Sequence, residues 1–248
     1  MATMPERVNT AVKAIDSIYD QADVIRLYLN NFDSVPEQFK RDKVEILQGR
    51  DLKSTGKLFN ALNKNEYYFC VDDDFIYPDN YAEYMISKLN EHGDKIVVTL
   101  HGEILPPKSN LSFFKRGRRF GSTATRPKDM WINLIGNGVS VWNTNNFRVD
   151  YRDWKYNYMD DIYVSMEMQK QNVPGLLVKH NGDFLTSLTK EVNGTTLWAM
   201  YAEDDKTQTE IADTIVWKLL DNKLNDMNSS PSHSNVQRLR RRRKRRSR

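Results

Sequence analysis

Residues 67–79 read YYFCVDDDFIYPD, and the fold turns on how this stretch is read. Tyr67 to Val71 are apolar almost throughout, the pattern of a central strand buried on both faces. Asp72, Asp73 and Asp74 follow at once, and three adjacent carboxylates repel one another unless a cation or water separates them. Two carboxylates at i and i+2 on a turn suit a hard divalent cation, Mn²⁺ or Mg²⁺, which completes its shell with waters and phosphate oxygens. A bare D-x-D is more often a solvated turn; the strand before it and the YPDN turn after it favour the metal.

Outward from this strand, helical and strand-like patterns alternate. Val8, Ala11, Val12, Ile15 and Ile18 recur at helical spacing, followed by strands at DVIRLYLN and VEILQ. TGKLFNALNK predicts a helix after a glycine-containing loop. DNYAEYMISKLNEH predicts a helix with Asp79 or Asn80 near its cap, and KIVVTLHGE a strand. Such alternation argues for an α/β fold with a largely parallel sheet. Residues 102–130, rich in Pro, Gly, Ser and basic side chains, predict a long functional loop. MWINLIGNGVSVWNT predicts two short strands around a Gly-Asn-Gly turn. DDIYVSMEMQKQN predicts an aspartate-capped helix, PGLLVKH a strand, and KTQTEIADTIVWKLLDNKL a last helix with Ile211, Ile215, Trp217, Leu219 and Leu220 on its apolar face.

Charge is distributed unevenly. The net charge of the 248 residues is +4, but Arg238 to Arg248 carries nine basic residues, leaving −5 for the rest. An acidic body, residues 1–224, therefore precedes a basic tail, residues 225–248, whose composition predicts disorder. No stretch approaches the roughly 18–20 apolar residues of a transmembrane helix, and the first residues lack a signal-peptide core. The single cysteine, Cys70, reads as a small core residue. These features predict a cytoplasmic protein, working free or at a membrane surface or on DNA.

Six segments in order carry a resemblance: ATMPER at the start, GRDLKSTGK, DDDFIYPDNY, LHGE, IGNGVSVW and NYMDDIYVS. Together, over residues 1 to about 185, they resemble the bacterial and phage branch of glycosyltransferase family 2. The resemblance implies a single GT-A (Rossmann-like) domain over residues 1–224. Its central sheet would be mixed but mostly parallel and flanked by helices, with a first strand short or missing. It also implies transfer of a sugar from a nucleotide-sugar, a UDP-sugar first of all, to an acceptor hydroxyl.

By the same resemblance, Thr3, Met4, Pro5 and Arg7 line the nucleotide site, Asp51 contacts base or ribose, and Lys57 the sugar or diphosphate. Asp72 faces the ribose and Asp74 the metal; Asp73 serves either role, and Asp72 is a second metal ligand. His101 and His180 both follow apolar strands and are candidates for a further ligand. His180 is preferred, because some GT-A enzymes carry a late histidine ligand. Of the second acidic pair, Asp161 is the expected base of an inverting transfer, taking the proton of the attacking hydroxyl, and Asp160 the reserve. One of the two is also explained by helix capping and the helix dipole. Trp131 and Trp142 are acceptor-stacking candidates, and Gly136 and Gly138 positions of close substrate approach. The basic run FFKRGRRF suits a diphosphate or an anionic acceptor.

The acceptor is left open between a glycan and a hydroxylated DNA base. The tail can bind nucleic acid by counterion release or an anionic membrane surface. Two other classes compete: a nucleic-acid-binding protein acting through its tail, and a sugar-phosphate nucleotidyltransferase. The second expects a glycine-rich phosphate loop near the start, which MATMPERVN lacks.

Overall fold

The computed structural model describes residues 1–106, 110–192, 204–216 and 219. The basic tail 225–248, and Trp217 and Leu220 of the last predicted helix, lie outside them. In chain order the strands are β1 (Ala2–Thr3), β2 (Ile25–Asn30), β3 (Val44–Gly49), β4 (Tyr67–Val71), β5 (Phe75–Ile76), β6 (Val97–Thr99), β7 (Gly102–Ile104), β8 (Arg118–Phe120), β9 (Met130–Ile132), β10 (Leu134–Ile135), β11 (Val139–Asn143), β12 (Gly175–Leu177) and β13 (Thr186–Ser187). The helices are α1 (Val8–Ile18), α2 (Tyr81–Asn90), α3 (Phe113–Arg116), α4 (Asp160–Gln171) and α5 (Lys206–Ala212).

The chain is α/β with mixed sheets. β1, β2 and β3 form a parallel sheet, so the first strand is present but only two residues long. A five-stranded sheet has the order β4-β11-β6-β12-β9. Within it β6 and β12 pair parallel, and the other three pairings are antiparallel. The expected largely parallel order therefore holds for β1–β3 but not for this sheet. The reason lies in the connection: β11 enters straight from the Gly136–Gly138 turn, without the crossover helix that a parallel neighbour requires. A bidentate Arg26–Glu66 pair, with both contacts at 2.8 Å, ties β2 to the foot of β4.

Helices cover both faces. Ala11, Ala14, Ile15 and Ile18 of α1 and Tyr81, Met85 and Leu89 of α2 pack with Leu27, Leu29, Val98, Val141 and Leu176. On the opposite face Val164 and Met168 of α4 pack with Tyr68, Cys70, Val97, Trp142 and Leu177. Each fully buried Leu, Ile, Val or Met among these stabilises the fold by about 1.5–3 kcal/mol. β4 sends Val71 and Phe69 to one cluster and Tyr68 and Cys70 to the other, so it is covered on both faces as its apolar run predicts. α4 ends at Asn172, whose φ of 56° is the left-handed stop that asparagine tolerates.

Residues 102–130 are not one long loop. β7, β8 and β10 form a small antiparallel sheet in the order β10-β7-β8, with α3 beside it. Phe113 of α3 and Ile211 and Ala212 of α5 share a third apolar cluster with Leu105, Met159 and Ile162. The helix predicted from TGKLFNALNK is a 3-10 segment, Lys53–Leu58. No helix among the described residues is long and apolar enough to cross a membrane.

Candidate active site

β4, β6 and β12 run in one direction and β11 in the other, so the carboxyl end of β4 and the start of β11 share one edge. At that edge a cleft of about 920 Å³ opens. It collects Thr3, Met4, Pro5 and Arg7 after β1, Asp51 and Lys57 after β3, and Asp72, Asp73 and Asp74 after β4. His101 after β6, Gly136 and Gly138 before β11, and Asp160 and Asp161 at the start of α4 complete the set. Ligands of open α/β sheets bind at this edge, beyond the carboxyl ends of the strands.

The three aspartates are held differently. Asp73 is buried and accepts from Arg7 Nη1 at 2.5 Å; Arg7 Nη2 reaches Asp74 Oδ2 at 3.3 Å. Asp72 accepts from Lys57 Nζ at 2.6 Å, and this cation holds its carboxyl below the usual range despite burial. The Asp72 backbone is fixed as well: its N–H is shared between Gly138 O and the buried Tyr77 hydroxyl, each at 2.9 Å. Asp74 O accepts from Leu188 N at 2.7 Å, which anchors the turn to the segment after β13. Burial first, and then the charges of Asp72 and Asp73, push the Asp74 carboxyl up to about 7, against the pull of Arg7 and Lys57.

The second acidic pair sits opposite. Asp160 is buried and accepts from Asn137 Nδ2 at 2.9 Å and from the Ser54 hydroxyl, with Lys57 Nζ at 3.5 Å. Asp161 Oδ1 accepts from Asn137 N at 2.7 Å. Burial and the neighbouring Asp160 charge push its carboxyl up to about 8. Neither acid caps the helix: the N-cap is Met159, without a side-chain cap bond, and both aspartates stand in the first turn. Lys57 is itself buried and touches both acidic groups, so it is an internal counter-ion rather than the free diphosphate contact expected of it. The Tyr68 hydroxyl holds its backbone through Lys57 O at 2.8 Å.

Several expectations are corrected. His180 is not among the residues that line the cleft; its Nδ1 faces Val178 O at 2.8 Å, and its backbone bridges to Arg126. The histidine in the cleft is His101, whose ring burial and Arg119 favour the neutral form while nearby Asp72 opposes them. Trp142 is a core residue stacked on Tyr68 at 5.3 Å between ring centroids, and Trp131 packs edge-on to His92; neither lines the cleft. A Cβ on Gly138 would lie 1.7 Å from Asp72 Oδ2, and one on Gly136 2.7 Å from the His101 ring. The glycines thus make room for two side chains of the protein. Two of the four cations of the basic run are ion-paired among the described residues, Arg116 with Asp213 at 2.5 Å and Arg119 with Glu103 at 2.6 Å.

Two residues escaped the sequence reading. Asn137, wholly buried between the two glycines, bonds both acids of the second pair; Tyr77 pins Asp72. A polar residue between two glycines was the only local signal for the first, and nothing local marks the second.

The donor chemistry fits a divalent cation. Eight carboxylates line the cleft against four Lys or Arg side chains, and Lys53 and Arg119 among these are tied to Asp51 and Glu103. Among the described residues no three His, Cys, Asp or Glu side chains form a ready-made cage. A cation held by one or two carboxylates and completed by water and phosphate needs none. No protein-family model matches the chain, and no curated protein matches it.

Proposed function

We propose that this chain is a metal-dependent, inverting glycosyltransferase with a GT-A-like fold. It moves a sugar from a nucleoside-diphosphate donor, a UDP-sugar first of all, to an acceptor hydroxyl. One observation carries the proposal: the Asp72–Asp74 cluster and the Asp160–Asp161 pair, about ninety residues apart in sequence, face one cleft and share the buried Lys57. The order of motifs resembling glycosyltransferase family 2 supports the same reading.

Roles follow from the geometry. Thr3, Met4, Pro5 and Asp51 line the part of the cleft assigned to the nucleoside. Asp74, with Asp72 beside it, would hold Mn²⁺ or Mg²⁺, and the cation supplies positive charge to the leaving diphosphate. Arg7 stays on Asp73 and keeps its fork at the diphosphate side. Asp161 receives the acceptor proton as the acceptor oxygen forms its bond to the anomeric carbon. The bond from that carbon to the phosphate oxygen breaks, and its electron pair leaves with the nucleoside diphosphate. At about 8, Asp161 holds a proton at neutral pH. Positive charge gained near Asp72, whose negative charge helps to raise it, lowers that value towards the working range.

The test is a thermal-shift screen of the full chain with nucleotide-sugars, with and without Mn²⁺, followed by assay of nucleotide release. One donor should raise Tm only with the cation present, by mass action. If no nucleotide-sugar shifts Tm and none is turned over in the presence of Mn²⁺, the proposal fails.

A further inference from the structure

The cleft has a second end, where the aspartates give way to Phe113, Phe114, Tyr158, Glu103 and Gln208. We infer that this end is the acceptor subsite, that it takes a neutral polyhydroxylated acceptor, a carbohydrate, and that Gln208 reads one of its hydroxyls. The word acceptor rests on the function proposed above; the carbohydrate chemistry does not.

Position comes first. Tyr158 and Ile162 line the cleft on either side of Asp161 in sequence, so a ligand here lies beside the proposed base. The wall is also preorganised. Phe113 N donates to Thr209 Oγ1 at 2.8 Å, Phe114 N to Asp205 Oδ2 at 2.6 Å, and Arg116 pairs with Asp213 at 2.5 Å. These bonds clasp α3 to α5 and fix Gln208 relative to the two phenylalanines. The Arg119 guanidinium covers one side of Phe114, 4.3 Å from its ring centroid.

Chemistry comes second. Gln208 is only 7% exposed, and its Oε1 has no hydrogen-bond partner among the described residues. A buried amide without a partner is costly, and a sugar hydroxyl, donor and acceptor at once, matches an amide in either orientation. Aromatic rings beside it suit the apolar face of a pyranose. Charge does not favour the rival: at this end the Arg119 cation is tied to the Glu103 carboxylate. A phosphate-rich acceptor such as DNA or a phospholipid would have to break that pair to gain a countercharge.

Saturation-transfer NMR on the full chain tests this with lactose, maltotriose, a short single-stranded oligodeoxynucleotide and phosphatidylglycerol vesicles. UDP with Mn²⁺ serves as the separate donor-site probe. A saccharide should bind. Gln208→Leu should weaken it about tenfold, as loss of a buried hydrogen bond does, and leave UDP–Mn²⁺ affinity unchanged. Phe114→Ala, away from the buried amide, should weaken the same saccharide and covers the case in which Gln208→Leu fails to fold. Saccharide binding without UDP–Mn²⁺ binding would overturn the donor reading and keep this subsite. UDP–Mn²⁺ binding with no saccharide bound, binding of the oligonucleotide or vesicles alone, or saccharide affinity indifferent to both variants would overturn the subsite.

Discussion

The two acidic groups of the cleft are built on the same plan with different counter-ions. Each has one member locked in place and one raised towards neutrality. In the first, Asp73 is locked by Arg7, though burial raises its carboxyl too, and Asp74 is pushed up to about 7. In the second, Asp160 is locked by Ser54 and Asn137 and Asp161 is pushed up to about 8. Guanidinium and ammonium groups dominate around the first, and neutral hydroxyl and amide donors around the second. An anionic cluster already partnered by cations is suited to a metal. An acid held by neutral donors, with its own charge uncompensated, is suited to a proton. Among the described residues, Lys57 is the side chain ion-paired with both groups.

The largest expected effect breaks the comparison on its proton side. Asp161→Asn keeps the shape and the Asn137 contact but removes the base, and should lower kcat by about 10²–10⁴ with donor KM unchanged. Nucleotide release measured under saturating donor decides it. Near-wild-type kcat would move the base elsewhere, with Asp160 the first alternative.

Next comes Lys57→Met. It strands the buried Asp160 and the part-exposed Asp72 without their shared cation, and for the buried Asp160 partner removal of the cation costs about 3–5 kcal/mol. Chemical denaturation reads this directly. A loss below about 1 kcal/mol, the range of exposed pairs, would show that the two groups do not depend on one cation.

The pH response sharpens the comparison. Unfolded, Asp74 and Asp161 titrate near the ordinary value of about 4; folded, they titrate near 7 and 8. Between those limits the folded state binds more protons than the unfolded one, so stability falls as pH rises through 7 and 8. A series of Tm against pH in EDTA should show this decline, and Mg²⁺ should flatten it by competing with the protons. Asp74→Asn should remove the component near 7 and Asp161→Asn the one near 8. A flat profile in EDTA would mean that neither acid is raised.

Much of this was legible in sequence where a periodic pattern or a strand end carried it. The apolar stripe of α1, the run before Asp72 and the acids at the start of α4 are local signals. What was missed depends on distant contacts. In TGKLFNALNK, Lys57, Leu58, Ala61 and Leu62 favour a helix, yet Thr55 N and its hydroxyl both bond to Asn157 O. Ser54 reaches Asp160, and Gly56 lies so close to Tyr28 that a Cβ would stand 2.6 Å from its ring. Tertiary pull therefore overrides propensity there. β7 and β8 are three residues each, too short to show a period. Lys57 looked like a ligand contact because its partners, fifteen and 103 residues away, cannot be read from its neighbours.

The smallest expected effect falls on His180, which sequence reasoning placed with the metal. Its ring nitrogen Nδ1 is engaged by the Val178 carbonyl, and burial holds it below the usual histidine range. A buried imidazole that is not among the residues lining the cleft is not a ligand for a cation at Asp74. His180→Asn should therefore leave Mn²⁺ affinity unchanged in calorimetry and cost about 1 kcal/mol of stability, the worth of one buried hydrogen bond. The parallel substitution His101→Asn, beside Asp72 and inside the cleft, is the informative contrast. If His180→Asn weakens Mn²⁺ and His101→Asn does not, the cation sits away from Asp72–Asp74, and the division of labour between the two acidic groups is wrong.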